Sequence, residues 1–250
     1  AIQGLSDDVA STHYRTAGNM VVPVIVSTRG HRLEGIWHSG SPIGMLINSV
    51  RGVHVCVPRD MTRASGFYNT LLEANDPAIV IEPLNGYRQK ELRPENMGEY
   101  KLPLGVPEIL FEGKDVTVVS YGSTLKVAMD AVEQLSKHDI SVELIDVQTL
   151  LPFDKDQMIL ESIKKTGRVL FLDEDVPGGT TGFMMQQVLE KQNAWYYLDS
   201  APKTLSGKNH RPAYSTDGDY FSKPSAEDIF ETIYDMMRES LPAQYPPIFV

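Results

Sequence analysis

One cysteine, Cys56, stands in 250 residues, so no internal disulfide can form. Its setting, Val53-His54-Val55-Cys56-Val57, reads as a buried strand. That makes the thiol a core side chain rather than a nucleophile. The lack of disulfides suits a reducing compartment such as the cytoplasm. No apolar run approaches the roughly 20 residues that a membrane-spanning helix needs. Positive charge is scarce: 23 lysines and arginines against 33 acidic residues give a formal net charge of -10. This argues against nucleic acid or an acidic membrane surface as partner. There is no HExxH, CxxC, EF-hand loop or GxSxG. Pro177-Gly178-Gly179-Thr180-Thr181-Gly182 matches neither phosphate-loop pattern and reads as a tight turn from strand to helix. The start, Ala1-Ile2-Gln3-Gly4, is neither a basic leader nor a methionine, so the chain is expected to have been processed or cut from a longer polypeptide.

What is present is an alternation of short apolar runs with helical patterns. Val21–Ser27 reads as a fully buried strand, Pro42–Val50 as a short helix and Val53–Val57 as a second strand. Asp60 is a plausible N-cap for a helix over Met61–Glu73, whose buried stripe is Ala64, Phe67, Leu71 and Leu72. Ala78–Glu82 is a third strand. Residues 85–107 show neither period and read as a linker or surface excursion. The alternation then restarts with a strand at Val116–Tyr121 and a helix facing inward through Leu125, Ala128, Met129, Val132 and Leu135. Strands at Val142–Asp146 and Val169–Leu172 flank a helix opened by Pro152 and Asp154 and closed by Gly167. Trp195–Leu198 reads as a further strand, and Ser225-Ala226-Glu227-Asp228 as a capping-box start. Alternating strands and helices imply an α/β fold with mainly parallel sheets in two domains, residues 1–112 and 113–250.

His38 is the candidate catalytic residue. It lies in Gly35-Ile36-Trp37-His38-Ser39-Gly40-Ser41-Pro42, a loop after a predicted strand, where parallel sheets place ligands. An imidazole there can donate or accept a proton near neutral pH. The alternative is a histidine that only hydrogen-bonds its loop. The cationic run Thr28-Arg29-Gly30-His31-Arg32 can hold an anionic group or pair with nearby carboxylates such as Glu34. Asp173-Glu174-Asp175 is a poor metal cage, because neighbours on an extended segment point to opposite faces.

Several segments resemble one family in order along the chain. They are Ala1–Gly18, VPVIVSTRGHRLEGIWHSGSP at 22–42, Val53–Pro58, Ala64–Glu82, VELIDVQTLLPFDKDQMILESIKKTGR at 142–168, Leu198–Pro202 and Pro212–Tyr214. Together they resemble the beta subunit, or the beta half of a fused chain, of the decarboxylating component of pyruvate and branched-chain 2-oxo acid dehydrogenases. The resemblance implies the second half of a pyrimidine-binding domain followed by a transketolase C-terminal-like domain. It implies thiamine diphosphate with magnesium as cofactor in the intact enzyme, and transfer of the acyl group to a lipoyl arm. The family's activating glutamate lies before the segment matching Ala1, and its diphosphate and magnesium motif belongs to the alpha part. This chain alone is therefore expected to hold no cofactor and no magnesium. His38 matches the family's active-site histidine. Val24, Leu71, Leu72, Ala74 and Asp76 match positions whose carbonyls hold a monovalent cation in some members, though Ala74 stands where an aspartate is common. The implied partners are the alpha part, a second beta copy and the lipoyl acyltransferase core, the last through Asp199.

Overall fold

The computed structural model describes residues 2–29, 43–210 and 215–248. His38, the loop around it, and Gly30, His31 and Arg32 of the cationic run lie outside the described residues.

The chain enters through a π-helical turn at Gly4–Val9 and α1 (Thr12–Arg15). It then builds a four-stranded sheet. β1 (Ile25–Arg29), β3 (Ala78–Glu82) and β2 (His54–Cys56) run parallel in that spatial order, and β7 (Thr149–Leu151) is antiparallel on the far side of β2. α2 (Ile43–Ser49) and α3 (Met61–Leu71) are the intervening helices. β3 is central and buried along its length: Ile79 and Ile81 face one core, Ala78 and Val80 the other. An all-apolar run suits a strand covered on both faces. β1 departs from the expectation. It begins at Ile25, occupies the edge, and leaves Val24 41% and Val26 39% exposed rather than fully buried. Composition marks a strand as suited to burial, but its place in the sheet decides whether it is covered.

The second sheet has the order β4-β6-β5-β8-β9. β5 (Val116–Ser120), β6 (Val142–Asp146), β8 (Val169–Leu172) and β9 (Lys203–Leu205) are parallel, and β4 (Glu108–Phe111) is an antiparallel edge. α4 (Thr124–Ser136) buries the predicted Leu125, Ala128, Val132 and Leu135 against α8 (Ala226–Ser240), and the Ser225–Asp228 capping box forms. α5 (Met158–Thr166) ends at Gly167 in a left-handed conformation, φ 67°. Asp154 caps α5 from a distance, accepting from the amides of Met158 and Ile159. α6 (Thr180–Met185) runs on into a π-helical turn, Gln186–Lys191, and α7 (Ser215–Ser222) precedes α8.

Three short elements depart from expectation. β4 falls just after the stretch read as linker, where no strand is predicted; its residues are half-buried or exposed. β7 falls between the Val142–Asp146 strand and the helix opened by Pro152, where no strand is predicted. Trp195–Leu198, read as a strand, is instead a 3-10 turn over Ala194–Tyr197, entered through Asn193 at φ 62°. Its aromatic rings point outward and have no strand to pair with.

The two sheets share a core. Val55, Ile79 and Ile81 of the first pack in one apolar cluster with Val119, Ile145 and Phe171 of the second. α4 and α8 seal the opposite face of the second sheet. Residues 85–107 lie along α3: Asn69 Nδ2 donates to the carbonyls of Met97 and Tyr100, and Thr70 Oγ1 donates to that of Leu102. Gly66 permits this approach, since a Cβ there would stand 2.8 Å from the Tyr100 ring.

Candidate functional site

The carboxyl edge of the first sheet is where a parallel α/β fold presents ligands, and β1 delivers the chain to that edge just before the segment holding His38. Among the described residues the edge is occupied by a carboxylate and two phenols. Glu82, the last residue of β3, is buried and accepts short hydrogen bonds from the hydroxyls of Tyr68 and Tyr87. Burial, and then the Glu82 carboxylate, push the Tyr68 phenol well above its usual range. Tyr68 is therefore a proton-bearing donor at neutral pH.

The amino end of α3 lies beside the same edge. A helix start is a ready anion site, but here the chain fills it. Asp60 accepts from the amide of Arg63 at 2.7 Å, and Glu91, reaching back from the 85–107 segment, accepts from the amides of Met61 and Thr62 at 3.2 and 2.8 Å. A diphosphate has no place at this helix end. No group of three or more histidine, cysteine, aspartate or glutamate side chains suited to a metal occurs among the described residues. Two open clefts of about 510 and 710 Å³ both include Gly52 and Asp76, at the amino edge of the sheet rather than the carboxyl edge.

Next to this edge a buried ionic network joins the sheets. Arg59, just after β2, donates through Nη1 to Glu108 at 2.7 Å and to Asp146 at 2.6 Å. Arg63 grips both oxygens of Glu108 and also Asp60. Burial raises the Glu108 carboxyl, but the bonds from Arg59 and Arg63 outweigh it and hold the group below its usual range. Asp146 is fully buried, and there burial wins over Arg59, pushing it up to about 7. Sequence reasoning missed this network. Arg59 and Asp146 are 87 residues apart, and nothing local pairs them.

The acidic triplet also closes on itself. Asp173 accepts from the Tyr121 hydroxyl at 2.8 Å, Glu174 from Ser123 at 3.3 Å with Lys223 at 3.8 Å, and Asp175 from the Val176 amide. At the positions matching the family's monovalent-cation site, the Val24 carbonyl accepts from Ala78 and that of Leu71 from Ala74, while the Asp76 carboxylate is hydrogen-bonded to His13. Asp199 is exposed, next to the outward rings of Trp195 (60% exposed), Tyr196 (82%) and Tyr197 (46%). His38 and Asp199 are thus not shown together. Asp199 lies on the second half's surface, and His38 falls outside the described residues.

The family model described as the transketolase C-terminal domain matches residues 105–229. The chain belongs to that family. The match begins just before β4, takes in the whole second sheet and ends within α8. Relatives extend the family likeness into the first sheet. The chain is 35% identical over 189 residues to a mitochondrial 2-oxoisovalerate dehydrogenase subunit beta from Chaetomium thermophilum, covering 75% of this chain and 39% of that protein. It is 30% identical over 218 residues to a pyruvate dehydrogenase E1 component subunit beta from Acholeplasma laidlawii, covering 86% and 65%. The chain therefore spans about two-fifths to two-thirds of the length of these curated relatives. Among solved structures, a split-gene transketolase described as an inactive beta4 tetramer aligns with a TM-score of 0.69 at 21% identity, over 88% of this chain and 69% of that one. A Pichia stipitis transketolase aligns at 0.60 and 13%, over 92% and 33%. These structural likenesses establish the fold: α/β, with mostly parallel sheets. No described helix is long and apolar enough to cross a membrane.

Proposed function

We propose that this chain is the beta part of a thiamine-diphosphate-dependent decarboxylating component of a 2-oxo acid dehydrogenase. Residues 1–112 serve as pyrimidine-binding domain and linker, and residues 113–250 as the C-terminal domain. The observation that carries the reading is the 35% identity to a 2-oxoisovalerate dehydrogenase beta subunit. It covers three-quarters of the chain, more than the C-terminal domain supplies. The complete enzyme would decarboxylate a 2-oxo acid oxidatively and pass the acyl group to a lipoyl arm. His38 is its proton donor or hydrogen-bond partner. The diphosphate and magnesium are held by an alpha part, so this chain alone binds the cofactor very weakly or not at all.

The partners follow from the same reading. The alpha part completes the pocket. A second beta copy forms a dimer, which the part-exposed Val24 and Val26 at the edge of the first sheet support. Asp199, exposed and a few residues after the exposed Trp195, Tyr196 and Tyr197, meets the acyltransferase core. The single buried cysteine and the acidic net charge suit the cytoplasm and disfavour nucleic acid and membrane as partners. A sugar transketolase is the second reading, favoured by the transketolase structures that share the fold.

The test uses the complete enzyme, beta and alpha parts together. The assembled enzyme should turn over a branched-chain 2-oxo acid or pyruvate, and His38→Ala should abolish decarboxylation and lipoyl acylation. Full activity in that variant removes His38 from the mechanism. Turnover of sugar phosphates in place of 2-oxo acids moves the assignment to transketolase. Micromolar calorimetric binding of thiamine diphosphate to this chain alone contradicts the division of the site.

A further inference from the structure

The ionic network between the sheets has more acid than base. Three carboxylates, Asp60, Glu108 and Asp146, meet two guanidiniums, Arg59 and Arg63, so the cluster carries one unbalanced negative charge when fully ionised. The carboxylates are not equally placed. Glu108 is 38% exposed in its side chain and Asp60 26%, whereas Asp146 is wholly enclosed. The surplus charge is costliest at Asp146, because a buried carboxylate without full compensation is poorly solvated. The charges that face Asp146 are Arg59 from the β2–α3 turn and Glu108 from β4, with Asp60 and Arg63 of α3 behind them. β5 offers its register partner Ser120, whose buried hydroxyl has no hydrogen-bond partner, and the turn after β6 offers the Gln148 amide.

The cluster is also a junction. Arg59 and Arg63 belong to the first sheet's half of the fold, and Glu108 and Asp146 to the second sheet. We propose that the Arg59–Asp146 contact is a proton-operated latch between the two sheets, closed when Asp146 carries a proton and loosened when it does not. The inference stands whichever reaction the complete protein catalyses.

The direction follows from linkage. With the contact closed, burial lifts Asp146 to about 7. With it opened to water, the carboxyl returns to an ordinary value near ~3.9. The closed form therefore binds the proton more tightly. Opening becomes up to roughly tenfold more frequent per pH unit between those values, then levels off. The segment released is Pro58–Arg63, beside the carboxyl edge of the first sheet.

Hydrogen exchange of the full chain from pH 5 to pH 8, corrected for intrinsic rates, reads this directly. Protection of the Arg63 and Ala64 amides and of β4 should fall as pH rises and level off above about 7. Amides of β5, such as Val118, should hold theirs. In Asp146→Asn, which keeps the shape of the protonated acid, the local pH dependence should vanish. Glu108→Gln provides a second readout should that variant fold poorly. Removing the facing negative charge should move the wild-type midpoint to lower pH. A flat profile in the wild type, an equal slope throughout the chain, an unchanged slope in Asp146→Asn or an unmoved midpoint in Glu108→Gln each overturns the latch.

Discussion

The amide of Asp199 donates to the carbonyl of Gly167 at 2.8 Å, and the Asp199 side chain lies over the bare α-carbon of that glycine. A Cβ at 167 would stand 2.8 Å from the Asp199 Cγ and closer still to Oδ2. Gly167 thus both ends α5 and seats the acidic residue proposed for acyltransferase docking. Gly167→Ala should cost about 1–3 kcal/mol, from the left-handed backbone and the displaced carboxylate. Urea denaturation measures the loss. Titration with the acyltransferase core should show weaker docking, and if docking is untouched, the partner role of Asp199 fails.

Arg59→Met removes the cation that faces a wholly buried acid. Loss of one partner of such a pair costs about 3–5 kcal/mol when the other stays charged. Asp146 escapes part of that cost by taking a proton. Its folded value is raised, so the folded state binds the proton more tightly than the unfolded chain does, and stability is lost as pH rises through the folded value. Without Arg59 that value climbs further. The destabilisation should therefore be greater at pH 8 than at pH 6, as seen in paired denaturation curves. An equal loss at both pH values contradicts the assignment.

Thr117 Oγ1 lies 2.6 Å from Ser162 Oγ and 2.7 Å from Thr166 Oγ1, all three buried between β5 and α5. Thr117→Val keeps the shape and removes one partner from each of the other two hydroxyls, while Thr166 Oγ1 keeps the Arg168 carbonyl at 3.1 Å and Ser162 keeps Glu143. The expected loss is about 0.5–1.5 kcal/mol. Thermal unfolding that leaves the midpoint unchanged shows that the hydroxyls find other partners.

Burial pushes the Cys56 thiol up to about 12, and the side chain has no exposed surface. Reaction with a thiol reagent at pH 8 should be negligible in the native protein and should appear only across the unfolding transition. Rapid labelling of the folded chain places Cys56 at an accessible site.

Asp60 illustrates what local sequence conveys. A carboxylate before an apolar stripe predicts a capped helix, and the cap forms on the amide of Arg63. Ser225 and Asp228 do the same for α8. Trp195–Leu198 illustrates the limit. Three aromatics in a row favour a strand, yet a strand exists only where a neighbour accepts its hydrogen bonds, and none does here. For the candidate site, sequence alone pointed to His38 through its loop after a predicted strand and then through a resemblance, and to Asp199 through the resemblance only. Glu82 and its two tyrosines carry no motif.

By itself the sequence determined the alternation of strands and helices, the helix caps, the buried stripe of α4 and that of α3 at Ala64, Phe67 and Leu71, the structural role of the cysteine and the family; Leu72, read into the α3 stripe, is instead 72% exposed just past the end of the helix. These depend on spacing and side-chain chemistry over a few residues. Only the tertiary structure decided that β1 is a bare edge, that β7 crosses into the first sheet, that Glu91 fills the start of α3 and that Arg59 meets Asp146. Each of these joins residues distant in the chain, and the free energy of such a contact depends on what is excluded from water around it, which no local pattern encodes.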